Sequence, residues 1–402
     1  MLELDEARER VLAAIQPLPV ERVRLSLALG RCLGEEIVSN LDLPVFDNSA
    51  MDGYAVRAGD VHSARVDAPV SLRLAGRVAA GDTFEGVITP GACLRIFTGS
   101  PMPAGADAVV MQEDTRLDPI FSDRVQCLEA VKPWENVRLR GEDVKAGRPL
   151  LGAGERINAG RIGLLAAIGV GEVTVGKRPV AALLSTGDEL AEAGSPLRPG
   201  QIFESNRALL ASLAEHSNAV PKVFPIVPDT LAATRGALAQ ALAHSDVVVT
   251  TGGVSVGEMD LVKQAFTELG GAIQFWKVAI KPGKPFVFGQ SAGKVLFGLP
   301  GNPVSAAVTF LLLVRPALWK CQGATDVLPE TGSCLLAEAL RNPGDRRHFV
   351  RVRVDSRGEA RSAGAQASHM LSSLASANGL VDVPAGTTLP AGSLVPVIRF
   401  GS

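Results

Sequence analysis

Strand-like apolar runs that end in glycine-bearing polar loops constrain this chain more than any other feature. PVAALLS leads into Ser185-Thr186-Gly187-Asp188-Glu189, DVVVT leads into Thr251-Gly252-Gly253-Val254-Ser255, and KVLFGL leads into Pro300-Gly301-Asn302-Pro303. Helical patterns alternate with them: SNRALLASLAEH, TLAATRGALAQALA, MDLVKQAF and the apolar run from Val304. Strands of β-branched and aliphatic residues that alternate with helices make parallel βαβ units. In such a sheet the loops leaving the carboxyl ends of the strands gather along one edge, where ligands bind. In the third loop Asn302 suits an N-cap, Pro303 suits the first helical turn, and Gly301 permits close backbone approach. Free N–H groups and the positive end of a helix dipole there would attract an anion. Three such loops on one edge point to a phosphate-bearing ligand; a set of well-capped strand-to-helix turns is the plainer alternative. No GxxxxGK[ST] and no GxGxxG after a strand is present, which argues against a P-loop nucleotidase and a dinucleotide fold.

The chain has 402 residues, enough for several domains, and a globular composition with 47% hydrophobic and 20% charged residues. A formal net charge of −2 gives no nucleic-acid or membrane surface. Five scattered cysteines without a CxxC pair argue against a disulfide framework or zinc site and for a reducing compartment. The start, LELDEARERV, lacks the pattern of a signal peptide, and FLLLV is too short to span a bilayer, so the expectation is a soluble, cytoplasmic protein.

Leu4, Ala7, Val11 and Ile15 share one helical face, and Pro17 and Pro19 end that helix. From Asp47 to Val137 short alternating runs divided by glycine and proline read as a mostly β module. Glycines punctuate a helical run, RIGLLAAIGV, before Lys177-Arg178-Pro179 opens the α/β domain. Beyond Gln322 the text is β again: Val350, Val352 and Val354 alternate with Arg351, Arg353 and Asp355, and turn signals suggest a small sandwich or barrel. The expected organisation is an elongated helical linker over 1–46 and 138–177, a β module over 47–137, a central doubly wound α/β domain over 178–322 and a β domain over 323–402.

Outside the glycine loops several groups could carry chemistry. Asp52 in LPVFDNSAMDGYAVR reads either as part of an Asx-rich turn or as a carboxylate presented to a metal or ligand. Thr98 and Ser100 flank Gly99 and could hold a phosphate through hydroxyls, or simply make a hairpin turn. Asp143, beside Glu142, lies in a charged loop with Arg138 and Arg140. Lys277, Lys281 and Lys284 line an extended run broken by Pro282-Gly283; they would neutralise a polyanion, or merely solvate a surface strand. Glu189 and Asp260 follow two of the phosphate-type loops. Carboxylates beside a phosphate suit a divalent cation between them, and oxygen ligands of this kind suit Mg²⁺. The five histidines fall outside these loops, which weakens a Ser–His hydrolase or a histidine-ligated metal.

Together these segments resemble the molybdopterin molybdenumtransferases, the family of MoeA and the gephyrin E domain. LPVFDNSAMDGYAVR, IFTGSPMPAGADAVVMQED, GEDVKAG, LLSTGDEL, TTGGVSVGEMD, FWKVAIKPGKP and GLPGNPVS occur in family order over essentially the whole chain. GLPGNPVS and TGGVS are shared with related molybdopterin-binding domains, whereas their combination with DNSAMDGYA is specific. The resemblance implies that molybdate and adenylylated molybdopterin react, with Mg²⁺, to insert molybdenum into the dithiolene and release AMP. It also implies an α/β domain of molybdopterin-binding type, a C-terminal β-barrel and an extended homodimer. Implied partners are a molybdopterin adenylyltransferase and molybdoenzyme chaperones. By motif, Asp52, Asp143, Glu189, Asp229 and Asp260 match acidic site positions, Asp229 in a context that a helix N-cap explains equally. Thr98, Lys277, Lys281, Pro300, Pro303, Arg346 and Ser372 match other positions at the cleft. Trp134 stands in KPWENVR where glycine is expected. Competing readings are an adenylyltransferase, which would resemble only the 178–322 domain, and a scaffold module without catalysis.

Overall fold

The structure is a computed structural model that describes residues 1–253 and 261–400. The chain divides into two compact units, one formed by 1–35, 153–159 and 172–402, the other by 36–152 and 160–171.

The first unit is built on a six-stranded sheet. Its strands are β1 (Val180–Ser185), β2 (Val220–Val223), β3 (Val247–Thr251), β4 (Ala272–Trp276), β5 (Val287–Ser291) and β6 (Lys294–Leu299), in the order β2-β1-β3-β6-β5-β4. The strands β2, β1, β3 and β6 pair in parallel, while β5 runs antiparallel to both neighbours. Helices α1 (Asn206–His216), α2 (Leu231–His244), α3 (Leu261–Glu268) and α4 (Pro303–Thr309) complete the α/β layers.

Successive residues of a strand point to opposite faces, and here both faces are apolar. Ala181, Leu183, Val247, Val249, Val295 and Phe297 join a core with Leu210 of α1 and the apolar run after Asn302. Their alternates Ala182, Leu184, Val248 and Leu296 join a second core with Leu238 of α2 and Phe266 of α3. A sheet buried on both sides is the doubly wound arrangement, and it explains why these strands read as continuous apolar text. Phe275, Phe286, Phe288 and Phe297 fill the first core with ring centroids 5.3 to 6.2 Å apart.

The helix Leu4–Ala14 buries the expected Leu4, Ala7 and Val11, and it does so in this first core of the α/β sheet. Segment Val20–Arg24 pairs antiparallel with Glu172–Gly176. Downstream of α4 the helical path continues through a π turn, Phe310–Val314, to Cys321. This run of 19 residues, mean hydropathy 1.5, is long and apolar enough to cross a membrane, contrary to the expectation from FLLLV alone. It is 89% buried inside the fold, as the core helix of a globular domain is.

At the C-terminus the alternatives of sandwich and barrel resolve to a closed ring. Thr331–Leu336, Arg347–Val354, Glu359–Ser362, Gly379–Val383 and Leu394–Arg399 pair around in a circle, with closure between Arg347–Val354 and Gly379–Val383. Val350, Val352, Val381 and Val397 fill its interior. The short strand Ile280–Lys281 adds to this ring, parallel to Arg347–His348.

The second unit carries another six-stranded sheet, ordered Ala108–Met111, Gly53–Val56, Ala92–Ile96, Val70–Val78, Arg124–Cys127, Thr115–Leu117. One face buries Val56, Leu72, Cys93 and Val110, the other Ala55, Leu94, Ile96 and Val109.

Candidate functional site

The carboxyl ends of β1, β3 and β6 enclose a pocket of about 440 Å³. Thr186, Glu189, Thr251, Gly252 and Gly253 line it from the first two loops, and Pro300, Gly301 and Asn302 from the third. Leu190, Ile202, Pro285 and Asn206 complete the wall. Two glycines are required by geometry. Gly252 has φ +80°, and a Cβ there would lie 2.5 Å from the Thr186 carbonyl oxygen. A Cβ on Gly187, at φ +153°, would lie 2.6 Å from a Glu189 carboxylate oxygen, because that side chain folds back over it. Close backbone packing of this kind is what a glycine loop supplies.

The loops are pinned from beneath by Glu204, Asn206 and Arg207, in and just ahead of the first turn of α1, all at least nine-tenths buried. Ser185 Oγ donates to Glu204 Oε1 at 2.9 Å and shares a 2.7 Å hydrogen bond with Thr251 Oγ1, so Glu204 reaches two strand ends. Arg207 Nε pairs with Glu204 Oε2 at 2.9 Å, Nη1 donates to the Phe224 carbonyl, and Nη2 meets Glu192. Asn206 Nδ2 donates to the Gly301 carbonyl at 2.7 Å. The pattern SNRALLASLAEH marks the helix but not the buried polar turn at its start. An acid, an amide and a guanidinium crowded at a helix start were the signal that this turn faces buried polar groups.

The third loop differs from the expected anion cradle. Asn302 stands at the N-cap, but its side chain donates to Ser368 Oγ at 3.0 Å instead of capping. The Val304 N–H donates to the Ser368 carbonyl. The Asn302 side chain, expected to cap, and the Val304 N–H, expected to be free, therefore both hold the 368 loop. Pro303 follows as the first helical residue and does not line the pocket.

Asp229 does not cap α2; Thr230 does, accepting from the Ala233 N–H, while the Asp229 N–H donates to Asp188. Lys277 has φ +73°, a strained conformation for a residue with a side chain, and its N–H donates to the Phe286 carbonyl. Lys281 is exposed on the strand that joins the barrel, and Arg346 Nη1 donates to the Ile280 carbonyl beside it. Neither lysine lines the pocket; their run reaches it at Pro285. Ser372 borders a separate apolar cavity of about 380 Å³ with Leu209, Leu311 and Phe400. Next to it Ser373 accepts from Arg351 Nε at 2.9 Å, and Arg351 is fully buried, which the alternation of the barrel strand had hidden. Asp260 and Ser255 lie outside the described residues.

In the second unit Asp52 Oδ1 accepts from the Thr98 N–H at 2.8 Å and from its hydroxyl at 2.9 Å. These two bonds, with Arg95 nearby, hold the exposed Asp52 carboxyl below the usual range. The Asp52 carboxylate is thus exposed and ionised, and it is fixed by the distant Thr98 and not by its own turn. Asp143 is exposed, and its N–H donates to the Leu43 carbonyl. Ser100 is a correction. It is fully buried and not presented at an exposed turn.

No three acidic, cysteine or histidine side chains form a metal cage among the described residues. Among the described residues one carboxylate, Glu189, opens on the pocket. That fits Mg²⁺, which takes one or two carboxylates, keeps several waters and completes its shell with phosphate oxygens.

Comparison with known proteins bears on this geometry. Residues 2–169 match the MoeA N-terminal region (domain I and II), 182–320 a probable molybdopterin binding domain, and 334–400 the MoeA C-terminal region (domain IV). A molybdopterin molybdenumtransferase of Haemophilus influenzae is 39% identical, covering 94% of this chain and 93% of that protein. Molybdopterin molybdenumtransferase 2 of Mycobacterium tuberculosis is 40% identical over 94% and 95%. A crystal structure of the molybdopterin biosynthesis moeA protein from Pyrococcus horikoshii superposes with a TM-score of 0.85 at 30% identity, covering all of both chains. With its sheet, barrel and pocket arranged as described, the chain belongs to the molybdopterin molybdenumtransferase family, enzymes of molybdenum cofactor biosynthesis.

Proposed function

We propose that this enzyme binds adenylylated molybdopterin in the glycine-loop pocket, transfers molybdenum from molybdate to the two dithiolene sulfurs, and cleaves the adenylyl phosphoanhydride with water or a molybdate oxygen as the attacking group, releasing AMP with the help of Mg²⁺. The observation that carries the reading is the pocket's composition. Backbone at Gly252 and Gly253 and the hydroxyl of Thr186 suit phosphate oxygens, while Leu190, Ile202, Pro285 and Pro300 suit a flat heterocycle. Glu189 would hold the Mg²⁺, a role shared in this reading with Asp260; the bound cation offsets charge on the phosphate.

Lys277, Lys281 and Arg346 provide cations for a polyanionic substrate. Asp52, held by Thr98, and the exposed Asp143 are the candidates for placing molybdate, through a cation or ordered water because a bare carboxylate repels that oxyanion. The same reading takes the protein as a cytoplasmic homodimer; five buried free cysteines suit a reducing compartment.

Glu189→Gln tests the reading, since it keeps the shape and removes the charge. It should leave binding of adenylyl-molybdopterin intact and slow AMP release roughly a hundredfold, as loss of one electrostatic stabiliser does. A wild-type rate in this variant at limiting Mg²⁺ would overturn the metal-holding role.

A further inference from the structure

The Asn206 amide is held at one end and unpartnered at the other. Its nitrogen end is identified by chemistry: the Gly301 carbonyl is an acceptor, so only Nδ2 can face it. That assigns Oδ1 to the opposite side. Oδ1 is buried and has no hydrogen-bond partner among the described residues. Asn206 is 8% exposed and lines the pocket, together with the apolar Leu190, Ile202, Pro285 and Pro300. A buried acceptor without a partner is costly unless something brings it a donor. Oδ1 cannot serve as a donor itself, and a phosphate or molybdate oxygen would repel it. The group that fits is an N–H on a flat ring lying against the apolar wall.

We infer that Asn206 is the specificity residue of this pocket, accepting through Oδ1 a hydrogen bond from an exocyclic amino group on the ligand's heterocycle. The inference rests on the proposed function in placing the ligand here. Both the adenine and the pterin of that ligand carry such an amino group, so the shared chemistry is an aminated, planar nitrogen heterocycle. A site built to pair with an N–H rejects an analogue that presents a carbonyl at the same place, because two acceptors are then forced together. Clamping of the Gly301 carbonyl by the same side chain holds Oδ1 in one orientation.

The test compares matched ligand pairs by calorimetry: AMP against inosine monophosphate, and pterin against its deaminated counterpart lumazine. Wild-type protein should prefer the aminated member of one pair by about tenfold or more, the cost of one unpaired buried polar group. A preference for AMP places the adenine at Asn206; a preference for pterin places the pterin there. Asn206→Ala should reduce that preference to near unity. Asn206→Asp keeps an oxygen acceptor and should retain it, even if the loss of the Gly301 clamp weakens binding overall. Because the readout is a ratio, a general loosening of the loop does not imitate the effect. Binding by the Ala variant with the wild-type ratio would overturn the inference alone and leave the proposed function standing. Failure of all four probes to bind wild-type protein would overturn both.

Discussion

Glu204 offers a sharp test of how the pocket is held. Its side chain is 3% exposed, pairs with an Arg207 side chain that is 7% exposed, and also accepts from Ser185 and from the Arg207 N–H. Replacing it with alanine leaves the guanidinium buried with two remaining acceptors, the Phe224 carbonyl and the mostly exposed Glu192. Truncating one partner of a buried pair costs about 3–5 kcal/mol, and the two surviving acceptors place this case near 3 kcal/mol. Glu204→Met with Arg207→Met removes both charges and should cost less than Glu204→Ala alone, since no uncompensated charge remains. Amide hydrogen exchange at α1 and β3 is the appropriate assay, because it reads local opening free energies in a protein of several domains. The cost should hardly change between low and high salt, the pair being shielded from solvent. A single-variant cost below 1 kcal/mol, or strict additivity of the two substitutions, would refute the bracket as an energetic unit.

Two further outcomes follow from side chains in uncomfortable places. Burial, then Lys281 and Arg351, push His348 down to about 4, so between pH 6.5 and 4 the unfolded chain takes up a proton that the folded one refuses. Stability should therefore fall with falling pH across that window, by roughly 3 kcal/mol in all, and denaturant titrations of His348→Leu should lack that component; identical pH slopes would count against it. Trp134 occupies φ +66° at 49% exposure, so Trp134→Gly should raise the melting stability by about 1 kcal/mol, and a loss of stability would show that the ring's packing outweighs the backbone strain.

Much of the α/β domain was legible because its signals are local. Strands buried on both faces are continuous apolar text, and helix periods are visible between them. The glycine loops were readable for the same reason: a φ of +80° at Gly252 and its approach to Thr186 leave few residues besides glycine. The expected glycine at Trp134 shows the rule working in reverse, for the left-handed conformation is present although the residue that suits it is absent. Groups whose roles depend on distant partners were not legible. Asn302 looked like a cap because Ser368, 66 positions away, is invisible to local reasoning. Ser100 looked available until the fold covered it. Glu204, Asn206 and Arg207 carried no periodic signal, since their partners are distant in sequence: Ser185 at a strand end, Phe224 just past one and Gly301 in a loop.

The contacts of the third loop explain how a site can be firm without the usual helix capping. Gly301 is held through its carbonyl by Asn206, while the Asn302 side chain and the Val304 N–H hold the 368 segment. One side of the loop is thus fixed to α1, the other to the turn that precedes the short helix Leu371–Ser376 of the barrel region. That turn is in turn gripped by Arg351, whose guanidinium donates to the carbonyls of Ala365 and Ala367. A hydrogen-bonded path therefore runs from the pocket wall into the barrel through Asn302, Ser368, Ala367 and Arg351. Fixing a binding loop from both sides lowers the ordering cost that a ligand would otherwise meet, which is how a polar pocket gains selectivity without gaining contacts. The barrel's place in this enzyme is accordingly more than attachment: it supplies one of the two supports on which the geometry of the Pro300–Pro303 loop depends.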